Sequence, residues 1–501
     1  MRERAAAEDA RQQIEAALEG ARTIAVTTTA GDSIHSRLMP FALGQDLEVY
    51  VAMVKGDPRA MLIAFNPAVS LLAVDETPSA GGQREVEVSG KAFLVKDADE
   101  RREAYDLLSK RSPLDRPEEA LDLVRVVPQR IEMRSAEGTP ATALEFPENR
   151  LVVSDLTLLK RKALAWLIAV RAPFLTATLA PIILGGAIAW ATRDSLSWGL
   201  FFLALAAGAF LHMGANVIND YFDHLSGDDT INTDFIRPFS GGSRVIQMGL
   251  LTPLETLTLA IVLFALSSGI GAYLAWASGP LVLAFGAIGL VSAVFYCGWP
   301  FKWASRGIGE LMVGLNFGTL MTLGSYYVQT ERVDWTPAIA SIPVAALITA
   351  VLYINEFPDF IADRAVGKKT WVVRLGRQRA AIAYGFLMAI PYVAVAAAVG
   401  ADVLPVPTLL VLLTLPLAAR AVQCAYRYHS QPVELAPANA LTIVTHLATG
   451  LLLTLGYAWD GPDADIVYVV GLAILFALMV LFVSRGVEQE KKAFLAAREA
   501  M

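Results

Sequence analysis

Two clusters of acids and amides, Asn216, Asn219, Asp220 and Asp223, then Asn355, Asp359 and Asp363, each close a long apolar run. Carboxylates are costly in such a setting unless they bind something. Within each cluster the polar groups recur three or four and seven or eight residues apart, which sets them along one face of an α-helix. Two such faces brought together offer oxygen ligands without a Cys or His cluster, and that donor set suits a hard cation such as Mg²⁺. Mg²⁺ usually completes its shell with water and phosphate, so the expected chemistry is capture of a diphosphate and neutralisation of its leaving charge. On this reading Asp220, Asp223, Asp359 and Asp363 are catalytic, and the same four carboxylates with Asn216 are the metal ligands. Asn216, Asn219, Arg237, Arg244, Tyr296, Asn355, Lys368 and Lys369 form the substrate-binding set. Its basic members donate charge-assisted hydrogen bonds to phosphate, and Tyr296 offers a ring face to cationic charge. A single cluster of this kind would equally well cap or solvate a helix end. Two of them, each followed by a loop containing Gly and basic residues, favour catalysis. His212 reads as a packed, hydrogen-bonded histidine, Glu310 equally as a cavity group or a headgroup-level residue, and His446 as structural.

The elements that position these groups must lie in a membrane. Of 501 residues 55% are hydrophobic, and mean hydropathy is +0.49, well above a soluble domain. A net charge of −7 with no block of basic residues excludes nucleic acid as a partner. Cys297 and Cys424 adjoin apolar runs and read as packing residues. From Arg161 onward ten apolar segments approach the ~20 residues of a bilayer-crossing helix. They are 172–192, 198–219, 256–277, 281–298, 307–328, 338–357, 380–400, 404–421, 440–459 and 466–483. Basic residues gather in alternate loops, from Lys160, Arg161, Lys162 and Arg171 through Lys302 and Arg306 to Lys368, Lys369, Arg374, Arg377 and Arg379. The positive-inside rule then places both acid clusters and both termini on the cytoplasmic side of the cell (inner) membrane. Met1 to Gly20 lacks the apolar core of a signal peptide, which agrees.

The charged N-terminal stretch reads differently. Short β-branched runs at 24–28, 47–53, 69–74, 85–95 and 124–133, with helical patterns at 5–18 and 98–110, predict a small β-barrel or sandwich. The expected organisation is a barrel domain at 1–134, a linker with an interfacial segment at 135–160, a transmembrane helical bundle of nine to ten spans centred on 161–459, and an extra helix with a tail at 460–501.

The motifs Asn219-Asp220-Tyr-Phe-Asp223, Arg237-Pro-Phe-Ser-Gly-Gly-Ser-Arg244, Tyr296-Cys-Gly-Trp-Pro300, Gly307-Ile-Gly-Glu310 and Asn355 to Asp363, with Gly367-Lys-Lys-Thr370 and Arg374-Leu-Gly376 behind them, resemble the UbiA superfamily of intramembrane aromatic prenyltransferases. The pattern is most similar to its menaquinone branch, which prenylates dihydroxynaphthoate. The resemblance implies a helical bundle around a central cavity, a polyprenyl diphosphate held with Mg²⁺ by the two acid clusters, an aromatic acceptor and a product that stays in the lipid bilayer. Two departures stand out. Gly227 occupies a position where relatives often carry a further Asp, with Asp228 and Asp229 next to it, and Pro358 stands where relatives often have Arg, a residue expected to kink the helix. The N-terminal motifs His35-Ser-Arg37, Lys55-Gly-Asp-Pro-Arg59, Asn66 to Ser70 and Glu85 to Gly90 resemble the pyridoxamine-phosphate-oxidase-like split barrels. That resemblance implies FMN on Arg37, Lys55, Arg59 and Ser70, and a homodimer through this domain. Two rival readings are a transporter or lipid-binding protein whose acids carry ions, and a flavin oxidoreductase tethered to the membrane.

Overall fold

The computed structural model describes residues 2–30, 33–55, 67–75, 84–135, 142–146, 155–227 and 239–460, with 57, 60 and 63. Two compact units emerge, one formed mainly by Met1–Ala165 and the other by Trp166–Arg244 and Pro253–Lys491.

In the first unit helix α1 (Arg2–Gly20) precedes β1 (Ile24–Ala30), β2 (Ser33–Met39), β3 (Phe41–Leu43), β4 (Val49–Val54), β5 (Ala68–Asp75) and β6 (Arg84–Leu94). Helix α2 (Ala98–Arg111), β7 (Leu121–Ser135) and β8 (Thr142–Glu145) follow. The strands form one antiparallel sheet in the order β2-β1-β5-β6-β7-β4-β3, with β8 added against β7. It curls as a half-barrel around a core that holds Ile24, Val26, Leu71, Val88 and Ile131 and is joined by Ile14 and Leu18 of α1. Alternation is clear in β5, where Val69, Leu71 and Ala73 are buried and Leu72 is exposed. Asp97 caps α2 by accepting from the Asp99 and Glu100 amides at 3.1 and 3.0 Å. A bulge between Ser89 and Gly90 shifts the β6–β7 register, and a Cβ at Gly90 would run into the Val127 carbonyl. Gly90→Val is therefore expected to cost about 1–3 kcal/mol, read as faster amide exchange along β6 and β7.

The five strands expected from sequence all appear, and β2, β3 and β8 join them. β2 interleaves Ser33, His35, Ser36 and Arg37 with its apolar residues because it is an end strand with a single neighbour. β8 falls inside the segment read as a linker.

The second unit is helical. Helix α3 (Asp155–Ala169), which enters this unit only at Trp166, leads into α4 (Thr176–Arg193), α5 (Trp198–Ser226), α6 (Pro253–Ser278), α7 (Leu281–Phe295), α8 (Gly309–Gly314), a π-helical turn at Leu315–Leu320, and α9 (Met321–Thr330). Then come α10 (Trp335–Ala365), α11 (Trp371–Leu375), α12 (Arg377–Gly400), α13 (Leu415–Tyr428, continuing the 3₁₀ turn Val406–Thr414) and α14 (Pro432–Asp460). Among the described residues helix occupies nine of the ten predicted segments, and six helices are long and apolar enough to cross a membrane. The chain is thus a multi-pass membrane protein. The tenth segment, 466–483, lies outside the described residues, as does the whole of 461–501. Small residues let the helices approach. Gly185 of α4 faces Ser325 of α9, whose hydroxyl donates to the Ile182 carbonyl at 2.7 Å. Helix α10 runs unbroken through Pro343 and Pro358, so the expected kink does not end it.

Candidate active site

A cavity of about 710 Å³ opens between α5, α7 and α10. Asn216, Asn219 and Asp223 reach it from α5, Asn355, Asp359 and Asp363 from α10, and Tyr296 from the end of α7. The rest of its wall is largely apolar, with Leu211, Phe285, Leu290 and Phe317 among its members. The two acid clusters therefore meet at one site.

Lys368 enters from the turn after α10. Its Nζ donates to Asp223 Oδ1 at 3.0 Å and stands 3.9 Å from Asp363 Oδ1, so one ammonium bridges the two clusters. Asn219 Nδ2 donates to Asp223 Oδ2 at 2.9 Å. Among the described residues no donor reaches the buried Asn219 Oδ1, which leaves an orphan oxygen beside a carboxylate. Asn216 Nδ2 is tied to the Val170 carbonyl at 3.2 Å. Asn355 is oriented from the far side, because Asn439 of α14 donates to its Oδ1 at 2.7 Å.

Asp220 behaves unlike its neighbours. It is 2% exposed and accepts from the Arg171 guanidinium, from the Ser243 hydroxyl and, at 3.3 Å, from the Ser243 amide. It does not line the cavity, whereas Ser240, Gly241 and Gly242 of the loop it holds do. Arg171, read from sequence as a topology marker, and Ser243, quoted there only as part of a motif, are the members sequence reasoning missed. Among the described residues no three His, Cys, Asp or Glu groups stand close enough to hold an ion unaided. Mg²⁺ bound through one or two carboxylates plus phosphate and water needs no such cage, and Asp223, Asp359, Asp363 and the orphan Asn219 oxygen fit that mode.

Other expected members are placed elsewhere. Arg244 turns back to donate to the Gly241 carbonyl at 3.1 Å, and Lys369 is exposed outside the cavity. Arg237, Asp228 and Asp229 lie outside the described residues. His212 lines the cavity with its Nδ1 2.8 Å from the Thr178 hydroxyl and its ring 4.5 Å from that of Phe317, as expected of a packed histidine. In the N-terminal unit Arg37 pairs with Val26 and Ser70 with Thr27, so the two side chains face opposite sides of the sheet. Ser70 Oγ donates to Glu87 at 3.2 Å, Lys55 follows β4 near the other end of the strand order, and Arg59 lies outside the described residues.

Residues 178–432, half of the chain, match the model of the UbiA prenyltransferase family. The chain belongs to this family. A UbiA-family relative from Mycobacterium tuberculosis (strain ATCC 25618 / H37Rv), a 1,4-dihydroxy-2-naphthoate octaprenyltransferase, is 35% identical over 226 residues, 45% of this chain and 74% of its own. The protein of that name from Escherichia coli (strain K12) is 32% identical over 300 residues, 58% of this chain and 94% of its own. The N-terminal unit is similar in structure to General Stress Protein 26 from Bacillus anthracis str. Sterne, at 26% identity and a TM-score of 0.23, over 27% of this chain and 98% of that one.

Proposed function

We propose that this UbiA-family enzyme moves a polyprenyl group from an isoprenyl diphosphate to a hydroxylated, naphthoate-like aromatic ring. The observation that carries the reading is a cavity whose acid and lysine rim adjoins a long apolar wall. Relatives named dihydroxynaphthoate octaprenyltransferases support the acceptor class.

Asp223, Asp359 and Asp363, with Asn216 and Asn219, would hold Mg²⁺, which when bound supplies charge neutralisation for the departing diphosphate. Lys368, already between the clusters, donates to the same phosphate oxygens. Asp220 acts one step back, since its hydrogen bonds fix Arg171 and the Ser240 to Ser243 loop at the cavity edge. The apolar wall receives the isoprenyl tail and keeps water from the allylic cation. Tyr296 offers its ring to that cation. Lys302, Arg306, Lys369 and Arg374 gather at this end, and the positive-inside rule supports a cytoplasmic placement for it. The flavin expected of the N-terminal domain is left out of this reading, because Arg37 and Ser70 do not share a face.

The test is transfer by the purified chain in detergent, offered a dihydroxynaphthoate and a polyprenyl diphosphate. Product that forms with Mg²⁺ and is lost with EDTA is expected; diphosphate binding that ignores Mg²⁺ would sink the proposal.

A further inference from the structure

Glu356 in the cavity wall and Glu310, packed outside it, form a second pair of acids that the mechanism above leaves idle. Glu356 of α10 lines the cavity and is 7% exposed; Glu310, in the first turn of α8, is 1% exposed. The helices that carry them, α8 and α10, pack together and bring the two carboxyl groups near one another. Glu310 Oε1 accepts the Trp371 amide at 2.5 Å, and the next amide, that of Val372, lies beside Glu356. The Oε2 atom of each is buried, and among the described residues no N–H or hydroxyl donor reaches either. A buried oxygen left so costs about 1–3 kcal/mol, more if charged. Around α10 Glu356 falls only about 20° from Asp363, so it opens to the same cavity as the diphosphate-binding acids. The charged and titratable groups facing the pair are Tyr296, Tyr353, Asp363, Lys368 and, on the Glu310 side, Arg374.

We propose that Glu356 is the catalytic base of the transfer, taking the hydroxyl proton of the aromatic acceptor, and that Glu310 is the positioning residue beside it. The proposal rests on the prenyl-transfer reading above. As the ring carbon bonds to the allylic carbon, the allylic C–O bond breaks with its electron pair going to the diphosphate. The acceptor O–H proton passes to Glu356, so the ring becomes a neutral ketone instead of a charged arenium. When the substituted carbon then gives up its own proton to solvent, the carbonyl oxygen takes the proton back from Glu356. Net, one proton and one diphosphate leave, and no oxidant is needed.

The alternative is that both acids merely strap the 367–376 segment in place. Gln at either position can still accept the same backbone amides, so Glu356→Gln separates the two roles. In the purified full chain with Mg²⁺, a polyprenyl diphosphate and a dihydroxynaphthoate, E356Q is expected to lower kcat ~10²–10³-fold with KM for the diphosphate within about twofold of wild type. The acid limb of the kcat–pH profile should disappear. With a nitro-substituted naphthol already ionised at the assay pH, the wild-type-to-variant ratio should fall to about tenfold or less, since there is no hydroxyl proton left to take. E310Q should shift the acid limb with a loss of roughly tenfold. Mg²⁺-dependent diphosphate binding reports a folded site; if E356Q loses it, Glu356→Asp with the same pair of acceptors carries the test. E356Q within about threefold of wild type, or an equal loss on neutral and ionised acceptors, would overturn the assignment. A wild-type chain that binds diphosphate but transfers to neither acceptor would overturn the prenyl-transfer reading itself, a distinct result.

Discussion

Replacing Arg171 by Met should destabilise the helical unit by about 3–5 kcal/mol, because it strands a carboxylate that has almost no access to water. Asp220 is 2% exposed and spends both oxygens on Arg171 and Ser243. With the guanidinium gone, the two Ser243 donors cannot offset a full charge. The thermal midpoint of the detergent-solubilised chain is expected to fall by roughly 10 °C. Asp220→Asn should cost less, since the amide removes the charge and keeps an acceptor for Ser243. A loss in Asp220→Asn equal to that in Arg171→Met would show that packing, not charge, sets the cost. Arg171→Met together with Asp220→Asn should recover part of the loss, because groups in contact couple.

Removal of Asp223 should cut transfer by about 10³-fold at saturating substrate, the largest kinetic effect of any single acid in the cavity. Asp223 touches both the Asn219 side-chain amide and the bridging lysine. Its loss takes away a ligand oxygen, releases Lys368 from its 3.0 Å contact and leaves Asn219 without an acceptor. Lys368→Met should cost about 10²-fold, with the Mg²⁺ needed for half-activity lower than in wild type, since no ammonium then competes for the two carboxylates. The double variant should lose less than the product of the single effects. Strict multiplicativity would mean that the lysine and the acid act independently.

How much of this could be read from residues alone differs from element to element. The acid clusters were legible because carboxylates among apolar residues demand a reason, and the helical period predicted which of them share a face. What the period could not supply is the choice within that face. Measured from Asn216, Asn219 and Asp220 sit about 100° apart around α5, with Asp223 between them. The cavity takes the Asn219 side, and Arg171 with Ser243 takes Asp220. That choice depends on a loop and on a residue 49 positions upstream, neither visible in a local pattern. Glu356 was hidden for another reason: it sits beside Asn355 inside an apolar helix, and its meaning comes from Glu310, which reaches it from a different helix. Among the strands, β6 alternates acid and valine from Glu85 to Val88, whereas β2, at the end of the sheet, has little pattern to read.

Lys368 is held with unusual economy of motion. Its amide donates to the Asp363 carbonyl at 2.8 Å, that of Lys369 to Ser305 at 3.1 Å, and Arg374 and the Trp371 indole tie the segment to the carbonyls of Arg306 and Gly307. The ammonium is therefore delivered by a braced turn instead of a swinging arm. An active site that carries its own counter-ion can stand empty between turnovers without its acids repelling one another apart. In the proposed reaction the lysine would need only to turn its ammonium from the carboxylates to the arriving phosphate oxygens, and to turn it back once the diphosphate departs.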